Sequence, residues 1–334
     1  MKSRLFLSTM IIIFAQACTK SEIGQPYADV QKPSGINLHE GTWTKKSGLP
    51  DPRSHSVAFT IGNKSYIGTG AGNGNALNDF WEYNPETDVW TKKADLPLAR
   101  TAAVGFSIGE KGYIGTGYNN EGTGSELKDF WEYNPKTNCW TRKADFGGTP
   151  RFAAVGFNIA DKGYIGTGRG LGVTTSDLWE YDPKKDIWRA VADFPGEERR
   201  FAVAFSINKN GYVGTGTTDL GSDLSDFWQY DQTRNSWQRK GDFPGGRRYY
   251  AVGTSVSGSG YLSTGWSFEQ RIAYNDLWSY DPANDQWTKK ASLPGTERIA
   301  ATTFAVLNSV YVGFGTAEDG TFMDLNDLWR FSPE

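Results

Sequence analysis

The chain has 334 residues, a formal net charge of -3, 40 glycines, 13 tryptophans and 16 tyrosines. So nearly balanced a charge leaves no basic field to hold nucleic acid. With two cysteines and two histidines, a disulfide scaffold is excluded and a His/Cys metal cluster lacks ligands. Many glycines and aromatic rings, without long apolar helical runs, point to a strand- and turn-rich chain.

At the N-terminus, Lys2 and Arg4 precede an apolar run from Leu5 to Phe14, and Ala15-Gln16-Ala17-Cys18 follows. The run is too short to span a bilayer as a stable helix. The pattern resembles the lipobox of bacterial lipoproteins, in which the cysteine, here Cys18, receives the lipid and becomes the mature N-terminus. It departs from that family where Ala15 replaces the usual Leu three residues before the cysteine. The resemblance implies a signal peptide over 1–17 and a protein exported to the cell envelope and lipid-anchored in the outer membrane. An ordinary secretory peptide cut after Ala17 is the alternative. Thr19-Lys20-Ser21-Glu22 does not choose between the periplasmic and outer sides. Residues 18–40, rich in Ser, Lys, Pro and Gly, read as a tether.

From residue 41 to 334 the sequence repeats. Trp43, Trp90, Trp140, Trp188, Trp237 and Trp287 recur at intervals of 47, 50, 48, 49 and 50 residues. Trp81, Trp131, Trp179, Trp228, Trp278 and Trp329 form a second series, and Trp266 alone stands outside both. Each unit reads as four short strands, as in Ala103–Ile108 (a), Gly112–Gly117 (b), Asp129–Tyr133 (c) and Cys139–Lys143 (d). Between c and d lie turns such as Asn84-Pro85-Glu86-Thr87-Asp88, with Pro, Asn and Asp where turn chemistry places them. Four strands per period of about 50 residues is the signature of a propeller blade. Strands a, b and c occur six times. The sixth unit lacks strand d, and an unmatched d strand, Thr42–Lys46, sits at the other end. The N-terminal strand is therefore expected to complete the last blade of a six-bladed propeller and leave no free edge.

Tyr66, Tyr113, Tyr164 and Tyr212 each precede a Gly-Thr-Gly, altered to Ser263-Thr264-Gly265 and Gly313-Phe314-Gly315 in the last two units. With the tryptophans in step, these features resemble the kelch repeat, in a form similar to kelch lipoproteins of Bacteroidetes-type bacteria. The resemblance covers about residues 42–333. The glycines are expected where a neighbouring blade approaches closely, the tryptophans as filling between blades, and Cys139 as a buried thiol.

In such a blade the d–a and b–c loops share one face. The b–c loops vary: 71–78, 118–128, 169–176, 217–225, 266–275 and 316–326. Variable loops on a repeated scaffold are where binding resides. Trp266, with Phe268, Arg271 and Tyr274 in its loop, suits stacking on a sugar face or contact with an anionic or protein partner; covering the top of a blade is the alternative. Tyr118 and Arg169 occupy the slot after the strand-b glycines, which faces the ligand in some kelch domains. Arg53, Arg100, Arg151, Arg199, Arg248 and Arg298 each stand thirteen residues before the strand-b tyrosine. They are expected to ring the channel mouth, either as an anion funnel or paired with Asp79, Asp129, Asp177, Asp226, Asp276 and Asp327. The paired, structural reading is preferred because a position repeated in every blade is scaffold. Arg200 and Arg247 break the sixfold pattern and are the better ligand candidates.

Copper oxidases of the galactose-oxidase type are also kelch proteins, and their site needs two His, a Tyr and a Tyr–Cys cross-link. His39, His55 and Cys139 cannot supply it. The bacterial N-acetylneuraminate epimerases are exported six-bladed kelch proteins, a more distant resemblance; Glu197, Glu198, Glu269 and Glu297 are the candidate acids. No phosphate loop or nucleophile motif appears. The expectation is a monomeric, non-enzymatic module with no cofactor, presenting its loop face to a glycan or a protein. A carbohydrate-active epimerase is the alternative, and a structural envelope protein the third class.

Overall fold

The computed structural model describes residues 41–119 and 125–333. The segments expected as signal peptide (1–17) and tether (18–40), Cys18 with them, and residues 120–124 of the second b–c loop lie outside them. Six four-stranded antiparallel sheets form the blades. Blade one is Val57–Ile61, Lys64–Gly68, Phe80–Asn84 and Val89–Lys92. Blades two to five repeat this order. Blade six takes Thr302–Val306, Ser309–Gly313 and Leu328–Ser332 from the C-terminus and Thr42–Lys46 from the N-terminus, with Thr42 opposite Ser332 and Lys46 opposite Leu328.

Alternation sets the faces of strand a. Val155, Phe157 and Ile159 are buried, whereas Gly156 and Asn158 line the central channel. The core between blades is made of Phe, Tyr, Val and Ile: Phe157 stacks on Tyr164 with ring centres 5.2 Å apart. The tryptophans flank this core half-buried rather than filling it. The close approach falls on the glycine before the strand-b tyrosine. A Cβ on Gly163 would lie 2.3 Å from Phe106 of the preceding blade.

The Gly-Thr-Gly segments do not continue strand b. The strand stops at the first glycine; the next residue and the second glycine have left-handed backbone, as at Thr116 (φ 58°) and Gly117 (φ 99°). This turn lets Gly117 N donate to Arg151 O of the following blade at 2.8 Å. Cys139 corrects another expectation: it is exposed, because the first residue of strand d points away from the core.

On the outer side the blades are clamped by repeated polar contacts. Ala144 N donates to Asp186 Oδ1 at 2.9 Å, and Trp188 Nε1 donates to Ala144 O at 3.1 Å. The closing strand carries the same clamp on both flanks. Trp43 Nε1 donates to Ala291 O at 2.8 Å, and Trp90 Nε1 donates to Ser47 O at 2.7 Å. Chain closure thus reproduces an ordinary blade seam, and the sheet has no open edge at the joint.

Candidate functional site

Three consecutive residues at the start of each blade build the loop face. The first is the repeated arginine. Arg53, Arg100, Arg151, Arg199, Arg248 and Arg298 are 0–1% exposed and do not ring the mouth. Each guanidinium turns into the blade and forks onto the aspartate that opens strand c: Arg199 reaches Asp226 at 2.6 and 2.8 Å. The same guanidinium donates to Thr215 O at 3.0 Å, and Asp226 Oδ2 also accepts from Trp228 Nε1 at 2.7 Å. Burial alone would raise the Asp226 carboxyl, but Arg199 overrides it and holds the group below the ordinary carboxylate range. Six bidentate pairs of this kind are a neutral framework under the loops, and they leave no free positive ring for an anion funnel.

The residue two places on faces the axis. His55, Ala102, Ala153, Phe201, Tyr250 and Ala300 all have left-handed backbone, with φ of 49–58°. Their peptides form a hydrogen-bonded collar: His55 N to Ala300 O (3.0 Å), Ala102 N to His55 O (3.2 Å), Ala153 N to Ala102 O (2.9 Å), Phe201 N to Ala153 O (3.0 Å) and Ala300 N to Tyr250 O (3.2 Å). Below the collar lies a channel cavity of about 210 Å³ walled by strand a of every blade. The rings of Phe201 and Tyr250 meet at 4.1 Å, and His55 packs edge-on against Tyr250 at 5.1 Å, so three rings narrow the neck.

The residue between them pairs with the b–c loop. Thr101 pairs with Tyr118, Phe152 with Arg169, Arg200 with Thr217, and Tyr249 with Trp266. Cross-strand partners point to the same side. At these free positions the blades differ. Blades one and two carry Ser54 and Thr101, blades three and five carry the rings of Phe152 and Tyr249, blade four carries Arg200 and blade six Ile299. Tyr118, Phe152 and Phe201 follow one another at 5.7 and 6.2 Å, and the arc continues through Tyr250 to Tyr249 at 4.6 Å. Tyr118, Phe152, Phe201 and His55, over Ala71 and Thr101, enclose an apolar cup of about 290 Å³. Arg200 stands at its margin, 6.0 Å from the Phe201 ring centre and 4.0 Å from Asp219.

The other sequence candidates fall on either side of this cup. Tyr118 lines it. Arg169 leans away, held by Asp219 Oδ1 at 3.0 Å and Gly172 O at 3.0 Å. Trp266 is half-buried next to Tyr249. Tyr274 serves the scaffold: its ring centre lies 3.6 Å from the Arg248 guanidinium, and its hydroxyl donates to Gln270 Oε1 at 3.2 Å. Phe268, Arg271 and Arg247 are exposed at loop tips. His55, Phe152, Phe201, Tyr249, Tyr250 and Glu318 escaped sequence reasoning, although the two positions after the repeated arginine vary between blades in the sequence itself.

Two titrating groups stand at the mouth. Burial pushes the His55 imidazole down to about 4, against an opposing pull from Asp324. Burial raises the Glu318 carboxyl above its ordinary range, and Glu318, Asp223 and Arg200 all act electrostatically on the Tyr249 hydroxyl. The His55 shift has a stability consequence. As pH falls from 6.5 towards 4, the unfolded chain takes a proton that the folded chain refuses, so stability drops by roughly 3 kcal/mol over that window. Urea unfolding of wild type and His55→Gln across this range is expected to show a shallower loss in the variant. Equal slopes would mean the imidazole is solvated in the fold. Asp79 and Asp129 act lower, since carboxyls depressed by their arginines contribute stability that is lost only as pH falls from the ordinary carboxylate range through their lower folded-state values.

Residues 29–157 match the family described as the KLHDC2/KLHL20/DRC7 Kelch-repeats domain. No curated protein matches the chain. A solved structure titled "Structure of YjhT" aligns with a TM-score of 0.72 over 85% of this chain and 95% of that chain, at 16% identity, a likeness of fold. Residues 29–157 thus match a kelch-repeat model, and the described residues form a β-propeller of six blades.

Proposed function

We propose that the protein is a binding module that seats a carbohydrate ring in the cup at the channel mouth. One observation carries this reading: the arc of rings from Tyr118 to Tyr249 occupies the positions that the repeat leaves free, on one side of the mouth only. Aromatic faces suit the C–H face of a sugar, and Tyr118 and His55 in the lining and Arg200 at the margin are the polar groups available to ring hydroxyls. In a glycan-array screen, Phe152→Ala is expected to weaken binding about tenfold or more, the cost of truncating a contact ring, with the circular dichroism spectrum unchanged. Glycan binding that survives the substitution would move the site elsewhere on the face.

A carbohydrate-active enzyme of the epimerase kind is the second reading. It is favoured by an acid whose carboxyl burial raises, Glu318, and an imidazole that burial lowers to about 4, His55, on either side of the Tyr249–Tyr250 pair. Polarimetry of reducing sugars with wild type and Glu318→Gln separates the two, since a plain binding module leaves the rate of anomer exchange at its buffer value.

We propose further that the module is held at the cell envelope through lipid on Cys18. The first strand of the propeller begins at Thr42, which pairs with Ser332, some two dozen residues after Cys18 in the sequence. Detergent-phase partitioning of the exported chain is expected to be lost in Cys18→Ser; partitioning in both would refute the lipid.

A further inference from the structure

We propose that the tips of the b–c loops of blades three to six form a second docking surface, for a stretch of polypeptide that interleaves Lys or Arg with large apolar side chains. Ten large hydrophobic residues are prominently exposed among the described residues, and seven of them lie in these four loops, Leu171, Leu220, Phe268, Ile272, Phe322 and Met323 among them. Scattered apolar residues on a surface need no explanation, but a crown of them on one face does. Leu220 is 95% exposed and Leu171 70% exposed, so neither is held by the fold for its packing.

The hairpin tips sharpen the point. In blade one the tip is Asn73-Gly74, both with left-handed backbone at φ 50° and 77°, the residue pair such a turn favours. Blade three makes the same tip with Leu171-Gly172, at φ 52° and 86°. A leucine there is strained where asparagine is at ease, and its side chain meets solvent. Phe322 in blade six likewise has left-handed backbone, φ 51°. Local turn chemistry therefore does not explain these side chains, and a contact outside the chain does.

Charge selects the occupant. Glu197, Glu198, Glu269, Glu297 and Asp319 are exposed on the loops of the same blades, against Arg247 and Arg271 as exposed bases. Such a rim repels anionic lipid headgroups and nucleic acid and attracts a cationic partner. The apolar crown then supplies the affinity that screened surface charges do not. The surface is separate from the cup, whose lining belongs to the first three blades and the collar.

The test is fluorescence anisotropy of the full chain with three labelled 15-residue peptides, alternating Lys/Leu, Glu/Leu and Lys/Ser. The Lys/Leu peptide is expected to bind at least about tenfold tighter than the other two. It is expected to lose that margin in the double variant Leu220→Ser, Phe322→Ser, whose side chains are exposed and whose fold is checked by an unchanged melting curve. Phe152→Ala is expected to leave it unaffected, so a failure of the cup and a failure of the crown are read separately. Equal binding of Lys/Ser, or full binding to the double variant, overturns the proposal. Capture of wild type but not the variant by phosphatidylglycerol vesicles would assign the crown to a membrane instead. A concentration-dependent dimer lost in the variant would assign it to a second copy.

Discussion

Replacing Asp226 by alanine is expected to destabilise the propeller by about 3–5 kcal/mol, the cost of leaving one partner of a buried pair uncompensated. Arg199 is 0% exposed and its guanidinium has no route to water. Asp226 neutralises it through two short hydrogen bonds and also fixes the Trp228 indole. The double substitution Arg199→Met, Asp226→Leu is expected to recover most of the loss, because apolar residues of similar volume replace a buried pair with little net cost. Urea unfolding of the three variants makes the comparison. A loss below about 1 kcal/mol in Asp226→Ala would place Arg199 among ordinary surface ion pairs. The outcome also bears on function, since the six pairs position the loops that carry the cup.

The second large effect lies at the seam between blades. Gly211→Val places a branched side chain where a Cβ alone would lie 2.3 Å from Phe157 Cε2. Overpacking of this kind costs about 1–3 kcal/mol or more, and Phe157→Thr alone opens a cavity worth about 3 kcal/mol or more. The protein already contains the paired change. In the seam between blades five and six, the position of the phenylalanine holds Thr254 and that of the glycine holds Val310. Transplanting both, as Phe157→Thr with Gly211→Val, is therefore expected to be milder than the sum of the singles by about 1–2 kcal/mol or more. Strict additivity in a double-mutant cycle would show that the two volumes do not trade.

The mouth of the channel shows why the site was harder to read than the fold. Arg53 to Arg298 form a perfect sequence series, and a charge repeated sixfold looks the same on paper whether it lines a pore or is sealed beneath it. Packing against the strand-c aspartates decided the matter. The residues that do face the axis, His55, Phe201 and Tyr250, differ from blade to blade and carry no motif. The left-handed backbone of the collar turns the residue two places after each arginine inward while the arginine turns away. Trp266, conspicuous as the single tryptophan off the repeat, is half-buried beside Tyr249, and the cup forms around Tyr118 and Phe152 instead.

The sequence by itself determined the number of blades, their four-strand order and their closure by Thr42–Lys46, because spacing of rings, glycines and turn residues is a local property repeated along the chain. Only the tertiary structure decided what meets at the axis. Closing the circle brings Tyr118, Phe152 and Phe201 from three successive blades to one mouth beside His55. His55 and Phe201 enter that mouth through the left-handed backbone two residues after a buried arginine, and Tyr118 and Phe152 through the pairing of the b–c loop with the start of the blade, contacts that no spacing in the sequence encodes.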